Sequence, residues 1–420
     1  MCIGKYKMSS IGIIPIDWDV KRVKDFGQVY TGNTPPTSDL SNYGCEFKFV
    51  SPADITDAKY IGHTEKGLSS KGFAASRNAE KGAVLFTCIG STIGKCAIAN
   101  ESIAFNQQIN AVVCDENHDA EFLYYELCRS ASIIKLLAGE QAVPIVNKST
   151  FENFKVICPS IYEQKEISKL LSLWDKAIEK QSELIEKLTL RKRGLMQQLL
   201  TGKKRIPGFT GEWKQVKLGE VCTFFRNVTL SRGQLNDLDG QIQNVHYGDV
   251  LIKYSSILDC VDVSLPYINK DVVINSNADL VQNGDIIMSD TAEDETVGKA
   301  CEVINVGDRK ILAGLHTMLI RPKSGIFAPS FMGYYINSEV YQKQLLPLIQ
   351  GIKVCSLGKQ AVQNTIISVP SRKEQEKIVE ILTLCDSEIR SAVKKKAEMQ
   401  SQKRGLMQQL LTGKKRINFE

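Results

Sequence analysis

The sequence motif closest to a catalytic one is a glycine-rich segment that resembles a phosphate-binding loop. Gly90-Ser-Thr-Ile-Gly-Lys95 has its glycines and lysine in the right order, but it is one residue too short between the glycines. Cysteine stands at position 96, where a serine or threonine would bind magnesium. We interpret the segment as a strand-turn-strand that directs Ser91, Thr92 and Lys95 outward, with an ordinary solvated turn as the alternative.

Other catalytic motifs are absent from the sequence. It contains no Gly-x-Gly-x-x-Gly, and its Pro35-Pro36 pair lies outside the Asn-Pro-Pro-aromatic arrangement with which a base methyltransferase holds a flipped base. The 12 cysteines include no Cys-x-x-Cys, and the four histidines share no ligand spacing, so we expect reduced cysteines and no metal site. These absences predict a chain with no catalytic residue and no cofactor of its own.

Polar residues in turns between short strands suit a different chemistry, hydrogen bonding to DNA phosphates and base edges. For each residue, the alternative is a solvated loop position. The DNA-binding candidates are Arg77, Asn78, Ser91, Thr92 and Lys95 in the first half, and Arg226, Asn227, Arg232, Tyr247 and Lys299 in the second.

A repeated segment organises the chain around these candidates. Lys192–Ile206 recurs letter for letter as Lys403–Ile417, and 24 of the 48 positions from 159 to 206 are identical to those 211 residues later. A repeat this long indicates a duplicated domain rather than a solenoid.

Apolar residues at heptad spacing predict that each repeat is one long helix. Seven of nine seam positions from Ile167 to Leu195 are apolar, whereas Glu388 and Lys395 interrupt the second seam. The helices open after Pro159-Ser160 and Pro370-Ser371 and close at Gly202 and Gly413. The first helix leads from the first half into the second. Two equivalent halves can therefore be related by a local two-fold axis only if the two long helices pair antiparallel. Leu171, Ile178, Ile185 and Leu199, with Leu382, Ile389 and Leu410, widen the apolar stripe, which either a further helix or the domain itself covers.

The predicted fold class is therefore α+β, with two globular domains joined by two long helices that pair as an antiparallel coiled coil with pseudo-two-fold symmetry. Short glycine-centred strands recur in each half and are followed by helical stretches at 121–137 and 331–346. We assign residues 1–158 to the first globular domain, 159–205 to the first long helix, 206–369 to the second domain, and 370–420 to the second helix and tail.

Composition and charge limit the class of protein. No apolar run approaches the length of a membrane span, and we expect a cytoplasmic protein that contacts no membrane. The segments 163–205 and 374–416 together carry a net charge of +9, so the rest of the chain carries about −3. Local basic patches, or a partner, must therefore neutralise DNA phosphates.

The order of motifs resembles the specificity subunit of type I restriction-modification systems across essentially the whole chain. The resemblance is carried by two Pro-Ser-x-x-Glu-Gln helix starts, two Gly-Leu-Met-Gln-Gln-Leu-Leu-Thr-Gly helix ends, Phe49-Val-Ser-Pro-Ala-Asp54, Tyr247-Gly-Asp249, Gly90-Ser-Thr-Ile-Gly-Lys95 and Asn106-Gln-Gln108. The second half has Asp294-Glu-Thr-Val-Gly-Lys299 in place of the Gly90 segment. That difference predicts different targets for the halves.

The resemblance implies a non-catalytic, double-stranded-DNA-binding subunit used in host defence. One target-recognition domain would read each part of a split target, and the helices would set the gap between the parts. The implied partners are two modification subunits, which carry S-adenosylmethionine and methylate adenine, and restriction subunits, which act as motor-nucleases. ATP and magnesium would likewise belong to partner subunits.

High similarity in the helices, and low similarity outside them, predicts two copies of one partner at the helix ends. The apolar partner-binding candidates are Leu195, Met196 and Leu199, with Leu406, Met407 and Leu410. The alternative function is a coiled-coil adaptor whose two end domains bind proteins or small ligands.

Overall fold

The computed structural model describes residues 2–3, 5–139, 142–274, 277–351 and 353–417. Contacts divide the chain into two compact units. Unit 1 comprises Met1–Glu183 together with Lys394–Glu420, and unit 2 comprises Leu184–Val393. Each unit therefore contains one globular domain, the beginning of one long helix and the end of the other.

The first globular domain is built mainly from short strands. The strands are β1 (Cys2–Ile3), β2 (Tyr6–Ser9), β3 (Gly12–Pro15), β4 (Asp19–Arg22), β5 (Gly27–Thr31), β6 (Tyr43–Val50), β7 (Lys66–Leu68), β8 (Asn78–Ala79), β9 (Val84–Thr87), β10 (Cys96–Ile98), β11 (Ile103–Phe105), β12 (Ile109–Cys114) and β13 (Lys155–Cys158). The helices of this part of the chain are α1 (Ser70–Ala74), α2 (Ala120–Leu136) and α3 (Lys148–Glu152), and they precede the long helix α4 (Ile161–Leu199).

Two four-stranded sheets form the centre of unit 1. One has the order β10-β9-β12-β5 and is antiparallel, and the other has the order β7-β6-β11-β8, with β6 and β11 parallel. Every residue of β9 is buried, and its first three residues, Val84 to Phe86, are apolar. Helix α2 packs on β9 and β10, and β4 pairs with β13. This last pairing brings the start of the domain to the strand that leads into α4.

The second globular domain repeats this plan. Its strands are β14 (Lys214–Lys217), β15 (Cys222–Phe225), β16 (Leu235–Asn236), β17 (Gln243–Val245), β18 (Ile257–Asp259), β19 (Tyr267–Ile268), β20 (Ile286–Ser289), β21 (Thr291–Ala292), β22 (Ala300–Ile304), β23 (Ile311–Ala313), β24 (Thr317–Pro322), β25 (Cys355–Ser356) and β26 (Ile366–Val369). Its helices are α5 (Leu218–Val221), α6 (Tyr247–Ile252), α7 (Phe331–Ile336), α8 (Glu339–Leu345) and α9 (Lys359–Gln363), followed by the long helix α10 (Arg372–Leu410).

Strand order shows that the two domains share a topology. The run β22-β20-β24-β15 in unit 2 matches β10-β9-β12-β5 in unit 1, with one more strand, β18, at its edge. The parallel pair β17 and β23 matches β6 and β11, and β14 pairs with β26 as β4 does with β13. The predicted α+β class and the duplication are therefore confirmed.

The long helices pack against each other in each unit, as the heptad pattern predicts. In unit 1, Ile167 and Leu171 of α4 share a core with Leu410 and Leu411 at the end of α10. In unit 2, Ile378 and Leu382 of α10 share a core with Leu199 and Leu200 at the end of α4. The start of one helix meets the end of the other, so the packing is antiparallel. Leu171, Leu199, Leu382 and Leu410 are covered by their own unit rather than by a further helix.

One helix prediction needs correction. The stretch from Phe331 to Leu346 is not continuous, because α7 ends at Ile336 and α8 begins at Glu339. At the break, the Asn337 side chain donates hydrogen bonds to the carbonyls of Ala300 and Gly333, both at 2.7 Å. Its oxygen also accepts the N–H of Ala300 at 3.1 Å. These contacts tie the junction to β22.

Among the described residues, the structure has no disulfide, no group of metal ligands and no membrane-spanning helix. The cysteine side chains that it describes are all free, and most are buried. Among the described residues, no three histidine, cysteine, aspartate or glutamate side chains are grouped as metal ligands would be. No described helix combines the length and apolarity required to cross a membrane.

Glu302 of β22 links the stability of unit 2 to pH. Its carboxylate is buried and accepts the N–H groups of Ser330 at 2.5 Å and Gly333 at 2.8 Å, at the start of α7. Burial raises the pKa of Glu302 from 4.5 to about 7, despite these donors. The folded chain therefore holds a proton that the unfolded chain releases between about pH 4.5 and 7.

We expect the stability of the wild type, relative to a Glu302→Gln variant, to fall as pH rises through this window. The expected fall between pH 5 and 8 is about 2–3 kcal/mol, since one pKa unit corresponds to about 1.4 kcal/mol. Urea unfolding of both proteins across this range measures the difference, and the variant serves as the control for every other titrating group. A difference that is constant with pH would contradict the assignment.

Candidate functional site

An ion pair between opposite long helices holds the end of α10 to the start of α4 in unit 1. The Arg416 guanidinium donates through Nε and Nη2 to the Glu163 carboxylate, at 2.6 and 2.8 Å. It also donates to both carboxylate oxygens of Asp17, each at 2.9 Å. Trp18 donates from Nε1 to Glu163 at 2.8 Å, and Arg416 lies 5.3 Å from the Trp18 ring centroid. We call Arg416, Glu163 and Trp18 the arginine clasp of unit 1.

Unit 2 contains the same clasp, formed by Arg205, Glu374 and Trp213. Arg205 donates to the Glu374 carboxylate at 2.7 and 3.0 Å, and Trp213 donates to it at 3.1 Å. The guanidinium lies 5.7 Å from the Trp213 ring centroid. Each of these residues lies 211 positions from its counterpart, except the tryptophans, which come from the divergent domain openings.

Burial gives the clasp its strength. Glu163 and Glu374 are each 2% exposed, so an unpaired carboxylate at either position would lack both water and a cation. Hydrogen bonding to Asp17 raises the pKa of Arg416, and the same contact lowers the pKa of Asp17. A bidentate arginine at each buried glutamate therefore keeps the charge neutralised where the helices meet.

Glycine is required where the tail of α10 turns into the clasp. Gly413 has a φ of +68°, and a Cβ at this position would lie 2.4 Å from Cγ of Pro15. Gly202, in the turn that follows α4, has a φ of +69° and lies next to the Trp213 ring. Both glycines therefore adopt the left-handed conformation in the turn just beyond their helix, close to the helix ends predicted from the sequence.

A second ion pair lies further along each helix pair. In unit 1, Lys403 binds Asp175, which also accepts the Tyr125 hydroxyl, and the ammonium lies 5.0 Å from the Tyr125 ring centroid. Burial raises the pKa of Tyr125, which keeps it a donor. In unit 2, Lys192 binds Asp386 at 2.5 Å, and Asp386 accepts the Tyr334 hydroxyl at 2.7 Å.

These contacts explain the Pro-Ser-x-x-Glu-Gln motif from within the chain. Glu163 and Glu374 are the clasp carboxylates. Gln164 accepts the N–H of Asp119 at 2.9 Å, and Gln375 accepts the N–H of Ala328 at 2.7 Å. The motif therefore joins each globular domain to the opposite helix end, a role that sequence reasoning did not assign.

The apolar residues predicted to bind a partner lie mainly against their own unit. Leu199 and Leu410 are core residues, 5% and 2% exposed, so their burial corrects the expectation that they face a partner. Leu195 and Met196 pack at the edge of the core of unit 2, and Leu406 and Met407 pack at that of unit 1. These four remain partly exposed.

In unit 1, Arg77 lies on a group of loops at the ends of β5 and β11. Its backbone N–H donates to the Asn33 side chain at 2.6 Å, and its guanidinium donates to the carbonyl of Thr31 at 2.8 Å. Thr34 donates to the Gln107 side chain at 2.7 Å, which joins the two loops. We call Asn33, Thr34, Arg77 and Gln107 the loop surface of unit 1.

Of the other DNA-binding candidates in unit 1, one lies beside Arg77 and three lie in a different turn. Asn78 is exposed in β8, next to Arg77. Ser91, Thr92 and Lys95 occupy the turn between β9 and β10, as expected, and their contacts lie elsewhere. Lys95 donates to the carbonyl of Pro52 at 3.2 Å, and the carbonyl of Ser91 accepts from Lys135 at 3.5 Å.

In unit 2, three candidates meet around α6 and the loop between β23 and β24. Arg232 donates to Asp249 at 2.6 Å, and the Tyr247 ring lies edge-on to the His316 ring, with centroids 5.4 Å apart. Asn227 donates to the carbonyls of Gly314 and Thr317, at 3.1 and 2.7 Å. We call Arg232, Tyr247, Asp249 and His316 the loop surface of unit 2.

Two candidates of unit 2 have mainly structural contacts. Lys299 is half-buried and donates to the carbonyl of Leu251 at 2.6 Å, and burial lowers its pKa. Arg226 is exposed, and its N–H donates to Asp279 at 2.9 Å.

His316 was not among the candidates predicted from the sequence, and the structure shows that its backbone conformation is unusual. His316 has a φ of +52°, a conformation that few residues other than glycine adopt and that is enriched at functional sites. Its Nδ1 lies 3.2 Å from the Thr291 hydroxyl and 3.6 Å from Asp290. Nearby His246 has its pKa lowered by burial, which favours the neutral imidazole. The sequence signal that could have identified His316 is its position, because it directly precedes β24 as Gln108 directly precedes β12 in unit 1.

The fold and these surfaces define a class of protein, a duplicated α+β chain in which one helical frame carries two different loop surfaces. The family model of the type I restriction modification DNA specificity domain matches residues 15–190 and 210–400. The chain therefore belongs to the type I restriction-modification specificity-subunit family.

Relatives and solved structures agree with this assignment. The type I restriction enzyme MjaVIII specificity subunit of Methanocaldococcus jannaschii is 26% identical over 97% of this chain and 95% of its own. The HindI specificity subunit of Haemophilus influenzae is 30% identical over 45% of this chain and 42% of its own.

Two solved structures share the fold. A chain from a type I restriction-modification system studied for complex assembly and conformational transition has a TM-score of 0.60 at 17% identity, covering 95% of this chain and 99% of its own. The S subunit from M. genitalium has a TM-score of 0.52 at 14% identity, covering 99% of both chains.

We expect Arg416→Ala to destabilise unit 1 by about 2–4 kcal/mol, because it leaves the buried Glu163 carboxylate without its cation. Lys415→Ala is the matched control, since Lys415 is exposed and its hydrogen bond runs from its backbone N–H to the carbonyl of Gln409. The control should change stability by less than about 0.5 kcal/mol. Urea unfolding, with hydrogen exchange in α4 to locate the loss, compares the two, and equal effects would show that the clasp contributes little.

Proposed function

We propose that this chain reads a bipartite DNA target, with one half of the target bound by each loop surface. The observation that supports the proposal most strongly is the pairing of a repeated frame with unlike loops. The clasp contacts recur in both units, whereas the loop surfaces are built from different side chains, Asn33, Arg77 and Gln107 in unit 1 and Arg232, Tyr247 and His316 in unit 2. A frame that is kept while its loops differ suits a protein that recognises two different sequences.

The chemistry of the loops suits the reading of base edges. An arginine can donate two hydrogen bonds to guanine, and asparagine or glutamine can bond to adenine in the same way. Arg77 and Arg232 are exposed, and each guanidinium donates to an acceptor, the carbonyl of Thr31 for Arg77 and the Asp249 carboxylate for Arg232. Anchoring of this kind reduces the conformational entropy that a long side chain loses on binding.

The chain itself does not catalyse a reaction in this proposal. Two modification subunits supply S-adenosylmethionine and methylate adenine, and motor-nuclease subunits use ATP and magnesium to cleave unmethylated DNA. The role of this chain is to position those subunits on the target. The helices α4 and α10 set the number of base pairs between the two half-targets.

Alanine substitution at each loop surface tests this division. We expect Arg77→Ala to relax one half of the methylated sequence and Arg232→Ala to relax the other, each by about 1–3 kcal/mol of base discrimination. Mapping of methylated adenines across the genome of a host that expresses the chain with its modification subunit reports both halves together. Purified chain without partners should transfer no methyl group to DNA.

The outcomes of this experiment are distinct. If both variants methylate the wild-type sequence, Arg77 and Arg232 do not read bases. If the wild-type complex shows no salt-dependent DNA binding and no bipartite methylated sequence, the proposed function itself is wrong.

Helix length provides a second test. We expect seven residues inserted after Glu183, together with seven after Val393, to lengthen the spacer between half-targets by about 2–3 base pairs, since each residue adds about 1.5 Å. Glu183 lies between Glu163 and Arg205, and Val393 lies between Glu374 and Arg416, so each insertion falls between the two clasps. Both clasps therefore stay intact. Methylated-adenine mapping measures the spacer, and an active variant with the wild-type spacer would show that the helices do not set it.

A further inference from the structure

The two units use different side chains at the same junction between a helix and a strand. Helix α2 packs on β10 in unit 1, and α7 packs on β22 in unit 2. The turns before these strands end at Lys95 and Lys299, whose carbonyls each accept an N–H of the neighbouring strand at 2.9 Å. Cys96 and Ala300 directly follow these lysines and are therefore equivalent positions.

Cys128 and Asn337 occupy equivalent positions on the helices. Tyr125 of α2 and Tyr334 of α7 correspond to each other, because each hydroxyl donates to a long-helix aspartate, and these two aspartates lie 211 residues apart. Cys128 follows Tyr125 by three residues, as Asn337 follows Tyr334. The helix side of the junction therefore has cysteine in unit 1 and asparagine in unit 2.

In unit 2, the Asn337 side chain bonds to both backbone groups of Ala300. It donates to the Ala300 carbonyl at 2.7 Å and accepts the Ala300 N–H at 3.1 Å. One short side chain thus spans the distance from the helix to the strand backbone. A disulfide joins backbones that approach to about 4.4–6.8 Å between Cα atoms, which is the same kind of close approach.

In unit 1, two thiols meet at this junction. The side chains of Cys96 and Cys128 are hydrogen-bonded to each other. Cys96 is 6% exposed, and Cys128 is half-buried. Both line a cavity of about 470 Å³ that opens to solvent beside Lys95 and Lys135. A small oxidant can therefore reach the sulfur atoms in the folded protein.

The surroundings of Cys128 favour its thiolate. The hydrogen bond from Cys96 lowers the pKa of Cys128 despite burial, and the Tyr124 hydroxyl and the charge of Lys403 lower it further. Burial and the same hydrogen bond raise the pKa of Cys96. The pair therefore combines one thiol that ionises readily with a neighbour that stays protonated.

We infer that Cys96 and Cys128 form an oxidation site, at which a hydroperoxide joins the two sulfur atoms in a reversible disulfide. With hydrogen peroxide, the Cys128 thiolate attacks one oxygen, the O–O bond breaks, and a sulfenic acid and one water form. The Cys96 sulfur then attacks the sulfenic sulfur, whose hydroxyl leaves as a second water. Two thiols thus lose two electrons and two protons, and one peroxide takes them up.

The disulfide gives unit 1 a covalent link at the place where Asn337 provides hydrogen bonds in unit 2. It fixes the base of the turn between β9 and β10, from which Lys95 donates to the carbonyl of Pro52. Unit 2 has alanine and asparagine at these positions and forms no such link. Peroxide therefore stiffens one globular domain and leaves the equivalent junction of the other unchanged.

Peptide mapping of the full chain before and after treatment with hydrogen peroxide tests the site. We expect a cross-linked pair of peptides that contains Cys96 and Cys128, lighter by two hydrogen atoms than the reduced peptides together, and lost on addition of dithiothreitol. Hydrogen exchange in β10 and α2 should slow. The melting temperature should rise by a few degrees, because a disulfide restricts the unfolded chain.

Cys96→Ala with Cys128→Asn is the matched control, because it gives unit 1 the two residues that unit 2 has at this junction. The double variant should form no disulfide, and peroxide should not change its melting temperature. Cys128→Ser is a second variant with a smaller structural change, and it should leave Cys96 reduced. Cys45→Ser removes an exposed thiol outside the pair and should give the wild-type yield of disulfide.

The wild-type protein alone can overturn the inference. It is wrong if both thiols of the pair still react with iodoacetamide after peroxide treatment and unfolding, or if Cys128 is converted only to sulfinic acid. It is equally wrong if peroxide joins other cysteines instead, for example two chains through Cys45. Peptide mapping requires neither DNA nor a partner subunit, so its outcome is independent of the proposed function.

Discussion

The buried arginine-glutamate pair at each helix junction is the interaction on which the rest of the structure depends. A glutamate that is 2% exposed is tolerated only when a cation and further donors surround it. Arg416 and Trp18 provide these for Glu163, and Arg205 and Trp213 provide them for Glu374. Because the arginine comes from one long helix and the glutamate from the other, the pair selects antiparallel register as well as association. The lysine-aspartate pairs further along the helices reinforce that register.

The ion pairs between the long helices limit how much of the helices' positive charge can contact DNA. The helices' net charge of +9 already counts Glu163, Asp175, Glu374 and Asp386, and Asp17 of the first domain opening lowers it further. The basic side chains in these ion pairs are Lys192, Arg205, Lys403 and Arg416, and they are therefore not available to DNA phosphates. The loop surfaces lie outside these ion pairs and carry their own arginines. Rigid sheets position the loops, and the sheets are attached to the helices by the strands β13 and β26 and by Gln164 and Gln375. A common frame can therefore present different side chains in its two copies.

Periodicity and repetition were sufficient to predict the frame. Both long helices, their glycine ends, the duplicated α+β domains and the turn from Gly90 to Lys95 follow from local spacing, because helix and strand periods are properties of neighbouring residues. The clasp was not predictable in the same way. It joins Trp18 to Glu163 and both to Arg416, and no short-range pattern relates positions so far apart in the chain. Asn227 and Lys299 were read as free donors for the same reason, since the carbonyls that they bind lie on other segments.

We propose above all that the two loop surfaces contact different halves of one DNA target. Site-specific photo-crosslinking tests this most directly, with a photoreactive amino acid at Gln107 in one version of the complex and at His316 in another. Each complex is bound to DNA that carries its methylation target, and the crosslinked nucleotides are mapped. We expect crosslinks from the two positions on opposite sides of the spacer, each within one half-target. Crosslinks from both positions to the same half-target, or to sequence outside the target, would contradict it.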